Sequence, residues 1–210
     1  MKLYFAPWAC SFAGHVALLE AGFTFDIERV DLKTKVTASG RDFKTISAKG
    51  YVPALILDDG EMLTENVAIL DWIANAYPAL GAPGQLGRTR LLEALAFIAT
   101  ELHPGFKPMW HDGSDDDKRT ARVKLTGRFK FVAASLQGAY LFGDSPSVAD
   151  CYLFVMLRWA ERFAVPVPDS LVRLQRAMAA RPSVRSALER EEGPVVRENP
   201  RPSYADIAVR

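Results

Sequence analysis

The chain has 210 residues, a length that fits one large domain or two small ones. With 49% hydrophobic and 24% charged residues it has the composition of a soluble globular protein, which argues against disorder, collagen-like repeats and coiled coils. A formal net charge of +1 gives no electrostatic footprint for nucleic acid or an anionic membrane. Two cysteines are too few for a disulfide scaffold, and no apolar run approaches the ~20 residues of a membrane span. We therefore expect a cytoplasmic protein that binds neither nucleic acid nor membrane.

The beginning of the chain carries the signals of a strand, a helix and a second strand. An apolar run over residues 3–5 predicts the first strand, and the helical spacing of apolar residues after Pro7 predicts a helix that ends at Gly22. Alternation over residues 25–30 predicts the second strand. Because this strand returns after a helix, we expect a parallel βαβ unit.

A hairpin and a further helix are predicted next. Asp58-Asp59-Gly60 stands between two short apolar runs, and the Asp-Gly pair supplies the positive-φ positions that such a turn needs. A helix over residues 66–77 follows and is stopped by Pro78. Together these elements predict an α/β domain at residues 1–78 with a mixed four-stranded sheet.

The rest of the chain is predicted to be helical. Residues 79–87 are rich in glycine and proline and are interpreted as a linker. Residues 88–192 show apolar stripes at helical spacing and a capping box at residues 147–150, which predicts an all-α domain. Residues 193–210 contain several prolines and no periodic face, so we expect an irregular tail.

Cys10 is the first residue that could carry chemistry. It begins a predicted helix, where free N–H groups and the helix dipole favour an anion, so the pKa of its thiol is expected to fall below ~8.5. The alternative is a small buried hydrophobic residue, which is the better interpretation of Cys151 in an apolar helix. Ser11 could cap the helix and also donate a hydrogen bond to a neighbouring sulfur. Because Ala13 stands where a C-x-x-C pair would have its second cysteine, any mixed disulfide needs an outside thiol.

Two further sites lie near strand and helix starts. A proline directly before a strand is best explained by a cis Val52-Pro53 bond, which would leave the Val52 backbone facing outward to pair with an extended peptide. Asn66 and the first-turn N–H groups form a candidate anion site, and Glu65 offers a carboxylate to an ammonium group; a plain N-cap is the alternative. Together with Cys10, these sites suggest one ligand with a thiol, a peptide backbone and an end bearing ammonium and carboxylate. Glutathione has these groups.

Spaced motifs extend through both predicted domains. They are Tyr4-x-x-Pro7-x-x-Cys10-Ser11, Asp31-Leu32-x-Thr34-Lys35, Lys49-Gly50-Tyr51-Val52-Pro53-Ala54-Leu55, Leu63-Thr64-Glu65-Asn66-x-Ala68-Ile69, Ala99-Thr100-Glu101-Leu102-His103-x-Gly105-Phe106 and Ala149-Asp150-x-Tyr152-Leu153-Phe154. With these motifs the chain resembles the cytosolic glutathione S-transferases, in particular the bacterial beta class. The resemblance implies a thioredoxin-like first domain, a helical second domain and a homodimer.

The resemblance also implies roles for individual residues. Cys10, Ser11 and His103 are the alternatives for stabilising the glutathione sulfur. The implied glutathione-binding residues are Lys35, Tyr51, Val52, Pro53, Glu65 and Asn66. The candidate liners of an electrophile pocket are Phe106, Met109, Trp110 and Trp159. No metal is implied.

Three functions follow as alternatives. The first is conjugation of the glutathione thiolate to small hydrophobic electrophiles, a detoxification activity. The second is thiol–disulfide exchange or peroxidase chemistry through a Cys10 mixed disulfide. The third is a non-catalytic ligand-binding or interaction protein on the same fold. It stays open because Ala96 and Pro104 stand where the family commonly has asparagine and lysine, which changes the contacts across the dimer.

Overall fold

The computed structural model describes residues 1–193, which form a five-stranded sheet followed by helices. The strands are β1 (Lys2–Phe5), β2 (Asp26–Asp31), β3 (Val36–Thr37), β4 (Ala54–Ile56) and β5 (Met62–Thr64). Their order across the sheet is β3-β2-β1-β4-β5, with β1 parallel to β2 and the remaining neighbours antiparallel. The predicted βαβ unit and hairpin are confirmed. The predicted strand number was wrong, because β3 has only two residues and leaves no alternation in the sequence.

The helices fall into two groups. Helices α1 (Ser11–Glu20) and α2 (Asn66–Ala76) belong to the sheet-containing part. The second part contains α3 (Gly87–Phe97), α4 (Lys107–Trp110), α5 (Asp115–Ala134), α6 (Val148–Arg162), α7 (Asp169–Ala179) and α8 (Pro182–Glu192). A mixed α/β part followed by an all-helical part is the predicted fold class. The exact domain boundaries stay predictions. The predicted tail comprises residues 193–210, and residues 194–210 lie outside the described part of the chain.

The ends of the helices have identifiable local causes. Helix α1 stops at Gly22, which adopts φ +73 while the N–H of Phe23 bonds to the C=O of Leu18 over 3.0 Å, the Schellman pattern. Helix α6 starts with the predicted capping box between Ser147 and Asp150. In the hairpin turn, Gly60 adopts φ +89.

One hydrophobic core extends through both parts of the molecule. Helices α1 and α2 lie between the sheet and helix α6, and the rings of Phe12 on α1 and Phe154 on α6 are 6.3 Å apart. A smaller core fills the other face of the sheet, where Tyr4 packs against Phe43 at 5.4 Å. Because both parts share the larger core, the first turns of α1 and α2 are held at a fixed position beside the helical part.

A buried polar pair also joins the two parts. His15 Nδ1 on α1 lies 2.8 Å from Glu191 Oε1 on α8, and both side chains are fully buried. Burial lowers the pKa of His15 to about 3 and raises the pKa of Glu191 well above its ordinary value of 4.5.

The connection from α3 to α4 is not a regular helix. Residues Ile98–Leu102 form a π-turn and His103–Phe106 a 3-10 turn. The predicted apolar stripe through this segment is buried up to Leu102. Within residues 1–193, every helix is too short or too polar to cross a membrane.

Candidate active site

A cleft of about 250 Å³ opens between the first turns of α1 and α2, the π-turn and the side of α6. Its walls are Cys10, Tyr51, Val52, Pro53, Glu65, Asn66, Val67, Ala99, His103 and Tyr152. The structure thus brings together most of the residues that the sequence selected. Ser11, Lys35 and the four aromatic and methionine candidates do not line this cleft. Val67, Ala99 and Tyr152 were not selected from the sequence.

The thiol of Cys10 has the opposite pKa shift to the one expected. Cys10 occupies the N-cap of α1 and is only 7% exposed. Burial raises the pKa of this thiol to about 12, and the nearby charge of Glu65 adds to the increase. The backbone N–H groups of Cys10 and Ser11 lower the pKa, as a helix start should, but burial outweighs them. The prediction of a lowered pKa was therefore wrong for the free protein.

Ser11 is directed away from the cleft. Its side chain is fully buried, and its Oγ lies 3.3 Å from the backbone N of Ala6 and 3.4 Å from the carbonyl oxygen of the same residue. Since Cys10 is the N-cap and no side chain caps α1, the prediction of a Ser11 cap was also wrong. The hydroxyl holds the turn between β1 and α1.

Glu65 has a strained backbone and a well-stabilised charge. It precedes α2 with φ 68 and ψ 124, a combination that side-chain-bearing residues rarely adopt. Its carboxylate accepts hydrogen bonds from the ammonium of Lys49 and from the Tyr51 hydroxyl, the latter over 2.7 Å. These two bonds hold its pKa below the ordinary value, so the group is ionised at neutral pH. The carboxylate already binds the ammonium group of Lys49. Because the Glu65 side chain is about half exposed, the ammonium group of a ligand can also reach it.

Asn66 links the starts of the two helices. It is buried, and its Nδ2 donates a hydrogen bond to the carbonyl oxygen of Cys10 over 2.9 Å. The N-cap position of α2 belongs to Glu65, so the plain N-cap interpretation of Asn66 was wrong. Its Oδ1 is buried and has no hydrogen-bond partner among the described residues. A buried acceptor without a partner is costly and suits a donor from a bound molecule.

The Val52-Pro53 peptide bond is cis, as predicted. In the described part of the chain, the N–H and C=O of Val52 form no backbone hydrogen bond.

Lys35 lies away from the cleft. Its N–H donates to the carbonyl oxygen of Asp31 over 2.8 Å, and its C=O accepts from the N–H of Phe43 over 2.7 Å.

His103 lies on the opposite wall of the cleft, with its Nδ1 2.8 Å from the hydroxyl of Tyr152. Burial lowers the pKa of His103 to about 4, so the imidazole is neutral at neutral pH. Aromatic residues pack behind it: the ring centres of Trp159 and Trp110 are 5.1 and 5.3 Å from the imidazole. Phe106 completes this cluster against both tryptophans.

The turn that carries Cys10 is fastened to the helical part through Trp8. The indole Nε1 of Trp159 donates to the carbonyl oxygen of Trp8 over 2.9 Å, and the guanidinium of Arg158 lies 4.2 Å above the Trp8 ring. Trp8 adopts φ 64, which is unusual for a bulky side chain. In the described part of the chain, no group of three or more His, Cys, Asp or Glu side chains could hold a metal ion.

Comparison with known proteins identifies the family. Residues 9–76 match the model of the glutathione S-transferase N-terminal domain, and residues 71–190 match that of the C-terminal domain. The chain belongs to the glutathione S-transferase family. The resemblance noted in the sequence, the fold class and the assignment to the transferases are thereby confirmed.

Several similar proteins are bacterial members of this family. The transferase is 38% identical to glutathione S-transferase GstA of Escherichia coli O157:H7, over 91% of this chain and 98% of that protein. A sphingomonad glutathione S-transferase solved with glutathione superposes with a TM-score of 0.84 at 40% identity, covering 91% of this chain and 99% of the other. A beta-class transferase of Sphingomonas chungbukensis gives a TM-score of 0.82 at 40% identity, covering 92% and 100%.

Proposed function

We propose that this transferase joins the sulfur of glutathione to small apolar electrophiles and so serves in detoxification. The observation that carries the proposal is the donor and acceptor pattern of the cleft. An ionised carboxylate at Glu65, a buried unpartnered acceptor at Asn66 and the unpaired backbone of Val52 lie in one cavity with His103. This pattern complements an ammonium group, a donor and a peptide backbone, which glutathione carries in one molecule.

Each part of the tripeptide has a place in this arrangement. The γ-glutamyl ammonium binds Glu65 in place of the Lys49 ammonium, which is exposed and free to leave. The cysteinyl backbone pairs with Val52, which directs the sulfur between Cys10 and His103. Lys35 lies outside the cleft. We propose that it contacts the glycyl carboxylate, which is the far end of the extended ligand.

The chemistry follows from the state of these groups. The thiol of glutathione loses its proton to solvent, its sulfur forms a bond to carbon, and the leaving group departs with its electron pair. Cys10 is protonated at neutral pH and Ser11 is directed away, so we assign stabilisation of the sulfur anion to His103. A Cys10 mixed disulfide would need the ionised thiol that burial opposes.

Phe106 and Trp159 are buried in the core, so they support the site and do not line it. We expect the electrophile beside Trp110, the partly exposed member of this cluster, because aromatic walls are typical of small-molecule pockets. Met109 is also buried in the same hydrophobic core, so it does not line a pocket. The relatives that are named as transferases also favour conjugation over a non-catalytic carrier.

Calorimetry with glutathione tests the assignment. Glu65→Gln removes a charged hydrogen-bond partner and should weaken binding by about ten- to a hundredfold. Glu61→Gln, an exposed acid on the β4–β5 hairpin, is the matched control and should leave the affinity unchanged. Conjugation of an aryl halide by the wild-type protein is the activity readout. Equal affinity in the two variants would disprove the site assignment.

We also propose a homodimer in the cytoplasm. Helices α3 and α5 border a groove of about 430 Å³ whose walls include Phe97 and Phe131, and Phe131 is 60% exposed. A large exposed aromatic residue beside an apolar groove suits a second copy of the chain. Cys10 and Cys151 are both free thiols, which fits a reducing compartment.

Light scattering tests the dimer. The wild-type protein should have the mass of two chains at micromolar concentration, and Phe131→Glu should shift it toward one chain. Val36→Glu, at the exposed edge strand β3, serves as the control and should remain dimeric. A single-chain mass for the wild-type protein would reject the proposal.

A further inference from the structure

We propose that Tyr152 is a positioning residue that fixes the proton of His103 on Nε2, so that the imidazole presents an N–H donor to the glutathione sulfur. The inference rests on the proposed function for the identity of the sulfur. The orientation of the imidazole proton itself depends only on contacts within the chain.

The two residues approach each other from different elements. Tyr152 stands in α6 and is 1% exposed, and its hydroxyl lies 2.8 Å from Nδ1 of His103, which follows the π-turn. Both side chains line the cleft that also contains Cys10. Their contact is therefore part of the candidate active site and not of a remote core.

The direction of this hydrogen bond follows from the protonation states. Burial raises the pKa of Tyr152 above its ordinary value, so the phenol keeps its proton. Among the described residues the phenol oxygen has one hydrogen-bond partner, Nδ1 of His103, and we infer that the protonated phenol donates to it. The neutral imidazole accepts at Nδ1 and must carry its own proton on Nε2.

An oriented donor results. Tyr152 is fixed in the buried helix α6 and donates to Nδ1 of His103 over 2.8 Å. The Nε2–H of the imidazole is then available to stabilise negative charge on sulfur. A preoriented neutral donor performs this task without a change in protonation during the reaction.

The tautomer can be measured without any substrate. Long-range proton–nitrogen NMR spectra of protein labelled with ¹⁵N-histidine distinguish a protonated Nε2 from a protonated Nδ1, and His103→Gln identifies the signals. We expect His103 to be the Nε2–H tautomer at neutral pH. A protonated Nδ1 in the wild-type protein would overturn the inference, even if glutathione binds and conjugation proceeds.

Substitution tests the consequence for the reaction. Tyr152→Phe removes only the hydroxyl and should give a mixture of tautomers at His103. Because loss of a whole stabilising donor costs about a hundredfold or more, loss of its orientation should lower kcat by about tenfold, with KM for glutathione nearly unchanged. Tyr4→Phe, a buried tyrosine packed on Phe43 outside the cleft, is the matched control and should retain wild-type kcat.

The outcomes separate the two proposals. A wild-type protein that neither binds nor conjugates glutathione would reject the proposed function while the NMR spectrum still reports the tautomer. Unchanged kcat and an unchanged His103 tautomer in Tyr152→Phe would reject the role of Tyr152. An increase of KM with unchanged kcat would show uniform binding and would also reject it.

Discussion

The side-chain amide of Asn66 binds the backbone carbonyl of Cys10 over 2.9 Å and so joins the first turn of α2 to that of α1. This bond crosses 56 positions of sequence inside the cleft. It sets the distance between the thiol side of the site and the residues proposed for the γ-glutamyl end.

Removal of this bond should destabilise the protein. Asn66→Ala leaves the Cys10 carbonyl without its buried donor, which should lower the free energy of unfolding by about 1–3 kcal/mol. Asn75→Ala, an exposed asparagine on the same helix, should change it by less than about 0.5 kcal/mol. Urea titration followed by circular dichroism measures both variants. Equal stability of the two would show that the bond contributes nothing.

The backbone of Glu65 predicts a separation of stability from binding. Both Glu65→Ala and Glu65→Gly remove the carboxylate and should weaken glutathione binding equally. Only glycine relieves the φ 68 conformation, so Glu65→Gly should unfold with a free energy about 1–3 kcal/mol higher than Glu65→Ala. Thermal and urea unfolding of the pair decide the matter, and a less stable glycine variant would mean that the backbone is not strained.

The Cys10 thiol should react slowly in the free protein. Because burial raises its pKa to about 12, the rate of alkylation by iodoacetamide should still be rising at pH 10. Intact-mass analysis of Cys151→Ala isolates the reaction at Cys10. If the rate were half-maximal at a pH below ~8.5, the pKa of a free thiol, the result would contradict a buried Cys10 thiol. Cys10→Ala should keep most of the conjugation activity, as His103 is assigned to the sulfur.

The His15–Glu191 pair predicts a maximum of stability in weak acid. Between pH 4.5 and 6.5 the pair holds one proton in the folded chain and one in the unfolded chain, so it adds no pH dependence. Above 6.5 the unfolded His15 loses its proton while the folded pair keeps one, and stability falls as pH rises. Below 4.5 the unfolded pair binds a second proton, and stability falls as pH falls toward the folded pKa of about 3.

A single substitution isolates this contribution from other titrating groups. In Glu191→Gln the carboxyl is absent, so the decrease above pH 6.5 that this pair causes should disappear, and the decrease toward low pH should begin at 6.5 instead of 4.5. Arg158, Arg190 and Glu192 surround the pair and are unchanged in the comparison. Urea unfolding from pH 4 to 9 gives the two profiles. Parallel profiles above pH 6.5 would show that the folded pair does not retain a proton.

Much of the architecture could be predicted from the sequence because its signals are local. The capping box at Ser147 and the turn at Gly60 act through residues three or fewer apart, and both predictions are confirmed. The cis bond before Pro53 was likewise indicated by a proline beside a strand. The two-residue strand β3 was missed because so short a segment has no period.

The failures concern side chains whose state depends on distant contacts. The prediction of a lowered Cys10 pKa considered only the start of the helix. Burial of the thiol has the larger effect and raises the pKa. Tyr152 was missed because it stands on an almost entirely buried helix, where nothing in its spacing distinguishes a polar contact from packing. Its position in a motif next to Asp150 was the available signal.

The π-turn before His103 makes the site sensitive to chain length. A π-turn holds one residue more than the α-helical turn it replaces, so deletion of one residue within Ile98–Leu102 would restore a regular helix. Each residue of an α-helix advances the side-chain direction by about 100°. The deletion would therefore rotate His103 out of the cleft while every other site residue kept its identity. We therefore expect a one-residue deletion in this segment to abolish activity although no site residue outside it is substituted.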